Sequence, residues 1–245
     1  MIVLFDLDGT VLTYDGGQPG PGRTSMGRAS RDLYGDDFTV GVRFAGGTDR
    51  AIARALLDRA GLPFEESRVQ ALIDRYLEHL TVVLAERPYK PVGDVAGAVA
   101  ACTARGARVG IATGNVRRGA AIKLASAGLG EVFDYDRGGY GCDHEVRHAM
   151  VQKAIERCGS AEPESIGRRA DSTPALSPSE SIVVIGDTRQ DVEAARHVGA
   201  KVVGVAVNEA TRTELAEAGA DAIVSACGEA LVEAIFSVTA ASHPR

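Results

Sequence analysis

Two carboxylates, Asp6 and Asp8, follow a short apolar run near the N-terminus, in the segment Asp6-Leu7-Asp8-Gly9-Thr10. Two acidic groups at the end of a buried strand are unfavourable unless a cation or hydrogen-bond donors compensate them. A hard divalent cation with oxygen ligands is the natural compensation. One carboxylate could then attack phosphorus as a covalent nucleophile, while the other protonates the leaving oxygen and later activates water. An isolated segment of this kind would favour an Asx turn, but its position after an apolar strand favours chemistry.

A second acidic segment, 186–191, follows the apolar run 181–185. Asp187 leaves its run as Asp6 leaves the first one, so it could complete a magnesium site. Asp191 could orient a metal-bound water, or it could simply cap the helix that begins there.

A polar segment, Thr113-Gly114-Asn115, follows a third apolar run at 108–112. A hydroxyl group and backbone N–H groups at a helix start can hold a phosphate oxygen. The alternative is an ordinary Thr or Asn helix cap.

Phosphoryl transfer also needs positive charge close to the reacting group. Arg147, ahead of the second acidic segment, and Lys123, within the helical pattern after Thr113, are the candidates. Either of them could instead be a solvated surface charge.

The elements that must position these residues are alternating strands and helices. The apolar runs predict strands, and the patterns between them predict helices. This order predicts an α/β fold, a doubly wound parallel sheet whose ligands bind beyond the carboxyl ends of the strands, so the polar segments should converge. The predicted strands are 2–5, 108–112, 181–185, 201–207 and 221–226, and the predicted helices are 92–105, 117–127, 145–158, 191–198 and 229–239.

The region 14–90 differs, because it shows helical patterns and no strong strand pattern. Residues 49–60 form a short amphipathic pattern, and apolar residues recur at helical spacing over 69–84. We therefore predict an α-helical domain at 14–90, inserted into an α/β core made of 1–13 and 91–245. The polar stretch 159–180 is predicted to be a surface loop.

Composition limits the class of partner. The chain has 245 residues, a formal net charge of −6 and four cysteines without a CxxC pair. The acidic balance argues against a nucleic-acid surface, and no stretch approaches the roughly 20 apolar residues of a membrane span. We expect a cytoplasmic protein without nucleic-acid or membrane partners, either a monomer or a homodimer.

Taken together and in this order, the four segments resemble the haloacid dehalogenase superfamily of phosphohydrolases, and within it the phosphoglycolate phosphatase group. The resemblance implies a Rossmann-like core with a small α-helical cap. It implies that Asp6 is the phosphorylated nucleophile and Asp8 the general acid/base. It also implies that Mg²⁺ binds the side chains of Asp6 and Asp187 and the backbone carbonyl of Asp8, and that Thr113 binds the phosphoryl group.

The third motif of that family is usually a lysine ahead of the second acidic segment. Here Arg147 occupies that neighbourhood, and Lys123 is the second choice. Residues 44–49 resemble a substrate-facing loop of the cap. Arg43 could meet a substrate carboxylate, although a surface charge is the simpler interpretation.

The expected substrate is a small phosphorylated metabolite. A phosphomutase of the β-phosphoglucomutase type is an alternative within the same superfamily. A non-catalytic relative that binds a phosphorylated ligand is an alternative from another class.

Overall fold

The structure is a computed structural model that describes residues 1–160 and 181–240. The strands are β1 (Ile2–Phe5), β2 (Leu12–Thr13), β3 (Lys90–Pro91), β4 (Arg108–Thr113), β5 (Gly139–Tyr140), β6 (Ile182–Gly186), β7 (Lys201–Val205) and β8 (Ala222–Val224). The helices are α1 (Pro21–Tyr34), α2 (Asp49–Arg59), α3 (Glu66–Glu86), α4 (Val95–Ala104), α5 (Arg117–Ser126), α6 (Arg147–Ser160), α7 (Arg189–His197), α8 (Glu209–Ala218) and α9 (Glu229–Ala240).

Six strands form one parallel sheet in the order β5-β4-β1-β6-β7-β8. The four residues of β1 are fully buried at the centre of the sheet. Their side chains alternate between two hydrophobic clusters, with Val3 and Phe5 on one face and Ile2 and Leu4 on the other. Because helices cover both faces, central strands read as continuous apolar runs. The predicted doubly wound α/β fold is confirmed.

The helices divide between the two faces of the sheet. Residues of α4, α5 and α9 belong to the cluster that also contains Val3 and Phe5. Residues of α6, α7 and α8 belong to the cluster that contains Ile2 and Leu4. Each connection between two parallel strands must cross over the sheet, and a helix in that connection covers one of its two faces.

The chain leaves and re-enters the core through a small hairpin. Strands β2 and β3 pair antiparallel, with Leu12 opposite Pro91 and Thr13 opposite Lys90. Between them lie α1, α2 and α3, which we call the helical insertion. Helix α3 packs against α1, α2 and α5.

Helix α1 was not predicted, because its buried face offers few large apolar side chains. This face packs against α3 and consists mainly of small residues, which give no apolar periodicity in the sequence. The buried residues of α1 are Pro21, Ser25, Met26, Gly27, Ala29 and Ser30.

Several other elements differ from the prediction. Strand β5 was not predicted, because it has only two residues. Helix α8 was not predicted, because Leu215 is its single buried residue and one apolar residue gives no periodicity. Most of the surface loop predicted at 159–180 lies outside the described residues, and its first two residues end α6. Among the described helices, none combines the length and the apolar character that crossing a membrane requires.

Candidate active site

The predicted site residues meet where β1, β4 and β6 end. Asp6 follows β1, Thr113 is the last residue of β4 and Asp187 follows β6. The Asp6 backbone N–H donates to the Ile185 carbonyl at 2.9 Å, which ties the turn after β1 to β6. Gly9 has a positive φ of 88°, and a Cβ there would lie 2.0 Å from Asp187 Oδ2, so only glycine fits this turn.

Three carboxylates form a group that fits a hard metal ion. One oxygen each from Asp6, Asp187 and Asp191 lies within 4.8 Å of the others. The Thr10 hydroxyl donates to Asp187 Oδ1 at 3.2 Å. An all-oxygen donor set of this kind matches the preference of Mg²⁺. The Asp8 side chain lies outside this group.

Burial makes the acidic group electrostatically unfavourable without a cation. Burial raises the pKa of Asp6 to about 7, with further upward contributions from Asp191 and Asp8, although Arg147 opposes the shift. Burial and the Asp6 charge raise the pKa of Asp187 well above its usual range. A divalent cation would relieve this repulsion.

These shifts predict how metal and pH affect stability together. A carboxyl with a raised pKa favours the folded state below its unfolded pKa of about 3.9 and loses that contribution as pH rises through about 7. A divalent cation such as Mg²⁺ would bind the ionised carboxylates, so we expect Mg²⁺ to raise the melting temperature more at about pH 7.5 than at about pH 5. Thermal unfolding in Mg²⁺ or EDTA at both pH values measures this. Asp187→Asn should remove the difference, and an equal Mg²⁺ effect at both pH values would contradict it.

Arg147 lies beside Asp6. Its Nη2 atom is 3.0 Å from Asp6 Oδ1 and 2.6 Å from Asp191 Oδ1, and its side chain is 10% exposed. Its Nη1 atom donates to the Gly46 carbonyl of the helical insertion at 3.3 Å. Burial alone would lower the pKa of Arg147, but Asp191 and Asp6 raise it, so the guanidinium stays charged.

Asp191 takes part in a helix cap. Its Oδ2 atom accepts hydrogen bonds from the Thr188 backbone N–H at 3.0 Å and the Thr188 hydroxyl at 2.6 Å, in a capping box at the start of α7. Its Oδ1 atom accepts from Arg147. Asp191 therefore caps the helix, as one interpretation of the sequence expected, and also orients the guanidinium.

Lys123 lies beside the other carboxylate. Its Nζ atom is 2.7 Å and 2.9 Å from the two Asp8 oxygens and 2.6 Å from Asn115 Oδ1. Burial would raise the pKa of Asp8, but the charge of Lys123 and hydrogen bonds from Lys123, Asn115 and Tyr89 hold this pKa below its usual range. The two candidate cations thus serve different carboxylates.

The polar segment after β4 connects these groups. Asn115 Nδ2 donates to Asp8 Oδ2 at 2.7 Å and to the Thr113 hydroxyl at 2.8 Å. The Gly114 carbonyl accepts from the Asp49 backbone N–H at 2.8 Å. A Cβ on Gly114 would lie 2.1 Å from the Gly47 carbonyl oxygen, so this close approach requires glycine.

The loop at 44–49 lies directly on the core. The Asp49 carboxylate accepts from the Val116 backbone N–H at 2.8 Å, at the start of α5. The Thr48 hydroxyl donates to the Glu145 carbonyl at 3.1 Å. Burial raises the pKa of Asp49 to about 6, although Lys123 opposes the shift. The helical insertion is thus in direct contact with the polar segment after β4.

A cavity of about 920 Å³ lies over the acidic residues, with walls from both the insertion and the core. Arg23 lines it, held by hydrogen bonds of 2.6 Å to the Thr39 and Val42 carbonyls and stacked 4.1 Å from the centroid of Phe44. No carboxylate of the described residues forms an ion pair with Arg23. Arg43 also reaches the cavity, but its side chain is 63% exposed and lies near Gln190 and Glu214.

Sequence reasoning missed Arg23 and Tyr89 as residues of this site. Arg23 follows a Gly/Pro-rich stretch interpreted as a linker, and no local pattern marks it as facing a cavity. Tyr89 lies between two prolines, where the sequence indicated only a restricted linker. Prediction of helix α1 could have pointed to Arg23 as a site residue, since Arg23 lies in the first turn of that helix.

Comparison with known proteins gives a consistent family. The sequence profile of haloacid dehalogenase-like hydrolases matches residues 1–199. No curated protein sequence matches the chain.

Solved structures with the same fold cover nearly the whole chain. A family IA, variant 3 HAD hydrolase from Entamoeba histolytica is 16% identical with a TM-score of 0.66, over 96% of this chain and 99% of that one. CbbY from Rhodobacter sphaeroides, solved in complex with phosphate, is 16% identical with a TM-score of 0.65, over 95% and 100%. A protein from Thermotoga maritima that is provisionally described as a beta-phosphoglucomutase is 20% identical with a TM-score of 0.55, over 98% of each chain. At these identities the likeness concerns the fold alone.

Proposed function

The chain belongs to the haloacid dehalogenase-like hydrolase family, and from that premise we propose that it is a magnesium-dependent phosphatase of small phosphorylated metabolites. The observation that carries the proposal is the environment of Asp6. This carboxylate lies at the base of a large cavity, in a cluster with Asp187 and Asp191 and 3.0 Å from the Arg147 guanidinium. A carboxylate beside fixed positive charge suits nucleophilic attack on phosphorus.

In the proposed reaction Asp6 attacks phosphorus, and the bond from phosphorus to the leaving oxygen breaks. Asp8 gives that oxygen a proton, and an aspartyl-phosphate remains on Asp6. Water then attacks phosphorus, Asp8 takes its proton, and the bond to Asp6 breaks to release phosphate. Lys123 favours the ionised form of Asp8, which is the form that takes the proton from water, and Asp8 gives that proton to the leaving oxygen in the next turnover.

Asp6 and Asp187 would hold Mg²⁺ with their side chains and Asp8 with its backbone carbonyl, while Asp191 orients Arg147. When bound, the ion supplies charge neutralisation between the carboxylates and the phosphoryl oxygens. Arg147 would add the fixed positive charge of a guanidinium whose Nη2 atom lies 3.0 Å from Asp6 Oδ1. Thr113 and the backbone after β4 would bind a phosphoryl oxygen.

The helical insertion would act as a cap that selects the substrate, with 14–90 as its extent and 1–13 with 91–245 as the core. We propose that the substrate resembles phosphoglycolate in carrying a second anionic group. Arg23 supports this, because it is a fixed cavity cation without a carboxylate partner among the described residues. Phosphate release from a panel of phosphorylated carboxylic acids, sugar phosphates and aryl phosphates, with and without Mg²⁺, tests the reaction class and ranks the substrates.

Arg23→Met should therefore raise KM for phosphorylated carboxylic acids about 10-fold or more, since a hydrogen bond to a charged group contributes about 1.5–3 kcal/mol. KM for p-nitrophenyl phosphate, which has no second anion, should stay within about 2-fold. Arg23→Lys should recover part of the effect, because it keeps the charge without the planar fork. If Arg43→Met raises KM instead and Arg23→Met does not, the second anion binds at Arg43.

A phosphomutase of the β-phosphoglucomutase type is the second candidate. The cavity of about 920 Å³ favours it, since it is at the upper end of the usual range for small-molecule sites and leaves room for a sugar. In that reaction a substrate hydroxyl would replace water as the acceptor of the phosphoryl group. Conversion of one sugar phosphate isomer into another without free phosphate would identify the mutase.

A further inference from the structure

We propose that Lys123 is a positioning residue for Asp8, and that its ammonium group holds this carboxylate in the orientation that transfers a proton to the leaving oxygen. The inference rests on the proposed function, because it assigns Asp8 as the acid/base. It concerns a different group from the phosphoryl-facing cation, for which Arg147 has the better geometry.

The contacts of Lys123 leave it no free donor. Lys123 is 4% exposed, and a buried ammonium is costly unless acceptors surround it. Its three N–H groups face three acceptors, namely the two Asp8 oxygens and Asn115 Oδ1. Its Nζ atom also lies 5.6 Å from the centroid of the Tyr89 ring. The ammonium group therefore donates to Asp8 and Asn115, which leaves no N–H group for a phosphoryl oxygen.

Asp8 needs such support because its own segment does not provide it. Its side chain is 41% exposed towards the cavity, so the carboxylate would otherwise sample several rotamers. Lys123 contacts both oxygens, Asn115 donates to Oδ2, and the Tyr89 hydroxyl interacts with the same carboxylate. Each carboxylate oxygen still has a lone pair that can carry the proton for a leaving oxygen in the cavity. Proton transfer depends on this kind of geometric control.

The groups that hold Asp8 also come from the boundary of the helical insertion. Tyr89 precedes β3, at the point where the chain returns to the core. Its ring packs edge-on against Tyr14, which follows β2, with 6.0 Å between centroids. Lys123 thus fixes Asp8 from α5, while Tyr89 contacts it from the linker of the insertion.

The test measures leaving-group dependence for Lys123→Met, Asp8→Asn and the double variant. The quantity is kcat/KM, which reports the steps up to departure of the leaving group. We expect Lys123→Met to lower kcat/KM about 10²-fold for an alkyl phosphate and less than about 10-fold for p-nitrophenyl phosphate, whose leaving group needs no proton. The double variant should be no slower than Asp8→Asn alone, because the two residues act as a unit. Lys123→Arg should restore part of the alkyl phosphate activity.

Arg118→Met is the matched control, since Arg118 is on the same helix and forms an exposed ion pair with Asp74. It should leave both substrates unchanged. Equal losses on both substrates in Lys123→Met, an unchanged or raised alkyl-to-aryl ratio, or multiplicative effects with Asp8→Asn would each overturn the positioning role.

A second variant covers the case in which Lys123→Met fails to fold. Tyr89→Phe removes one hydroxyl from the Asp8 carboxylate and keeps the ring, so it should show the same substrate bias with a smaller loss. Absence of that bias would overturn the inference. If the wild type hydrolyses neither substrate, the proposed function itself fails and the positioning role falls with it, a result distinct from any difference among variants.

Discussion

An Asp6→Asn variant is expected to release no phosphate above background, a loss of at least about 10⁴-fold, because removal of a nucleophile leaves only binding and electrostatic stabilisation. The amide has nearly the shape of the carboxylate and is a poor nucleophile. It also removes a carboxyl whose pKa burial raises to about 7, so the fold should persist. Phosphate release and circular dichroism, recorded on the same preparation with Mg²⁺, measure the two properties.

Asp58→Asn provides a control for the chemical change, since Asp58 is exposed on α2, within the helical insertion. This variant should match the wild type. Activity retained in Asp6→Asn with a native spectrum would refute the nucleophile assignment. A folded, Mg²⁺-stabilised wild type that releases phosphate from no substrate would instead favour the non-catalytic, ligand-binding alternative.

Arg147→Met is expected to give the second largest effect, a loss of about 10²–10³-fold in kcat, because in the proposed reaction it would remove a fixed donor from the reacting phosphoryl group. It also leaves the Asp6 and Asp191 carboxylates without their guanidinium partner. Removal of one partner from a buried ion pair costs about 3–5 kcal/mol of stability, part of which Mg²⁺ should restore. Steady-state kinetics and denaturant unfolding, each with and without Mg²⁺, measure these effects.

Two variants sharpen that experiment. Arg147→Lys keeps the charge but cannot contact Asp6, Asp191 and Gly46 together, so its kcat should lie between those of wild type and Arg147→Met. Arg157→Met removes a partly buried arginine of the same helix, which pairs with Asp143, and should lower stability without lowering kcat. A kcat for Arg147→Met equal to that of the wild type would refute the phosphoryl-facing role.

The sheet and the placement of the acidic residues could be predicted because both follow from local patterns. Ile2–Phe5 and the runs before Thr113 and Asp187 are continuous apolar stretches that end in polar residues. Parallel strands bring their carboxyl ends to one edge, so strand ends distant in sequence must converge. In contrast, the buried face of α1 consists mainly of Ser, Gly and Ala residues, with Met26 as its one large apolar side chain, and small residues give no periodic signal.

The partners of the two cations could not be predicted, because they depend on tertiary packing. Lys123 lies on α5 and Arg147 on α6, and the sequence shows each only as a basic residue near a helical pattern. Arg147 reaches Asp6 from α6, while Lys123 reaches Asp8 from α5. Charge type alone made either residue a candidate for the phosphate, whereas the contacts divide them between the two carboxylates.

The hairpin of β2 and β3 joins the helical insertion to the core at a single place, so the insertion could be replaced as a unit. Thr13 and Lys90 are paired neighbours, so the helical insertion begins and ends at one point, and its replacement there would leave the order of the core strands unchanged. Arg23 belongs to the helical insertion, whereas Asp6, Lys123 and Asn115 belong to the core. The proposed substrate-selecting residue and the proposed catalytic residues thus lie on separate segments, although the helical insertion also contacts the site through Gly46 and Asp49. Tyr89 lies at the junction itself, so replacement of the helical insertion would also replace the hydroxyl that interacts with Asp8.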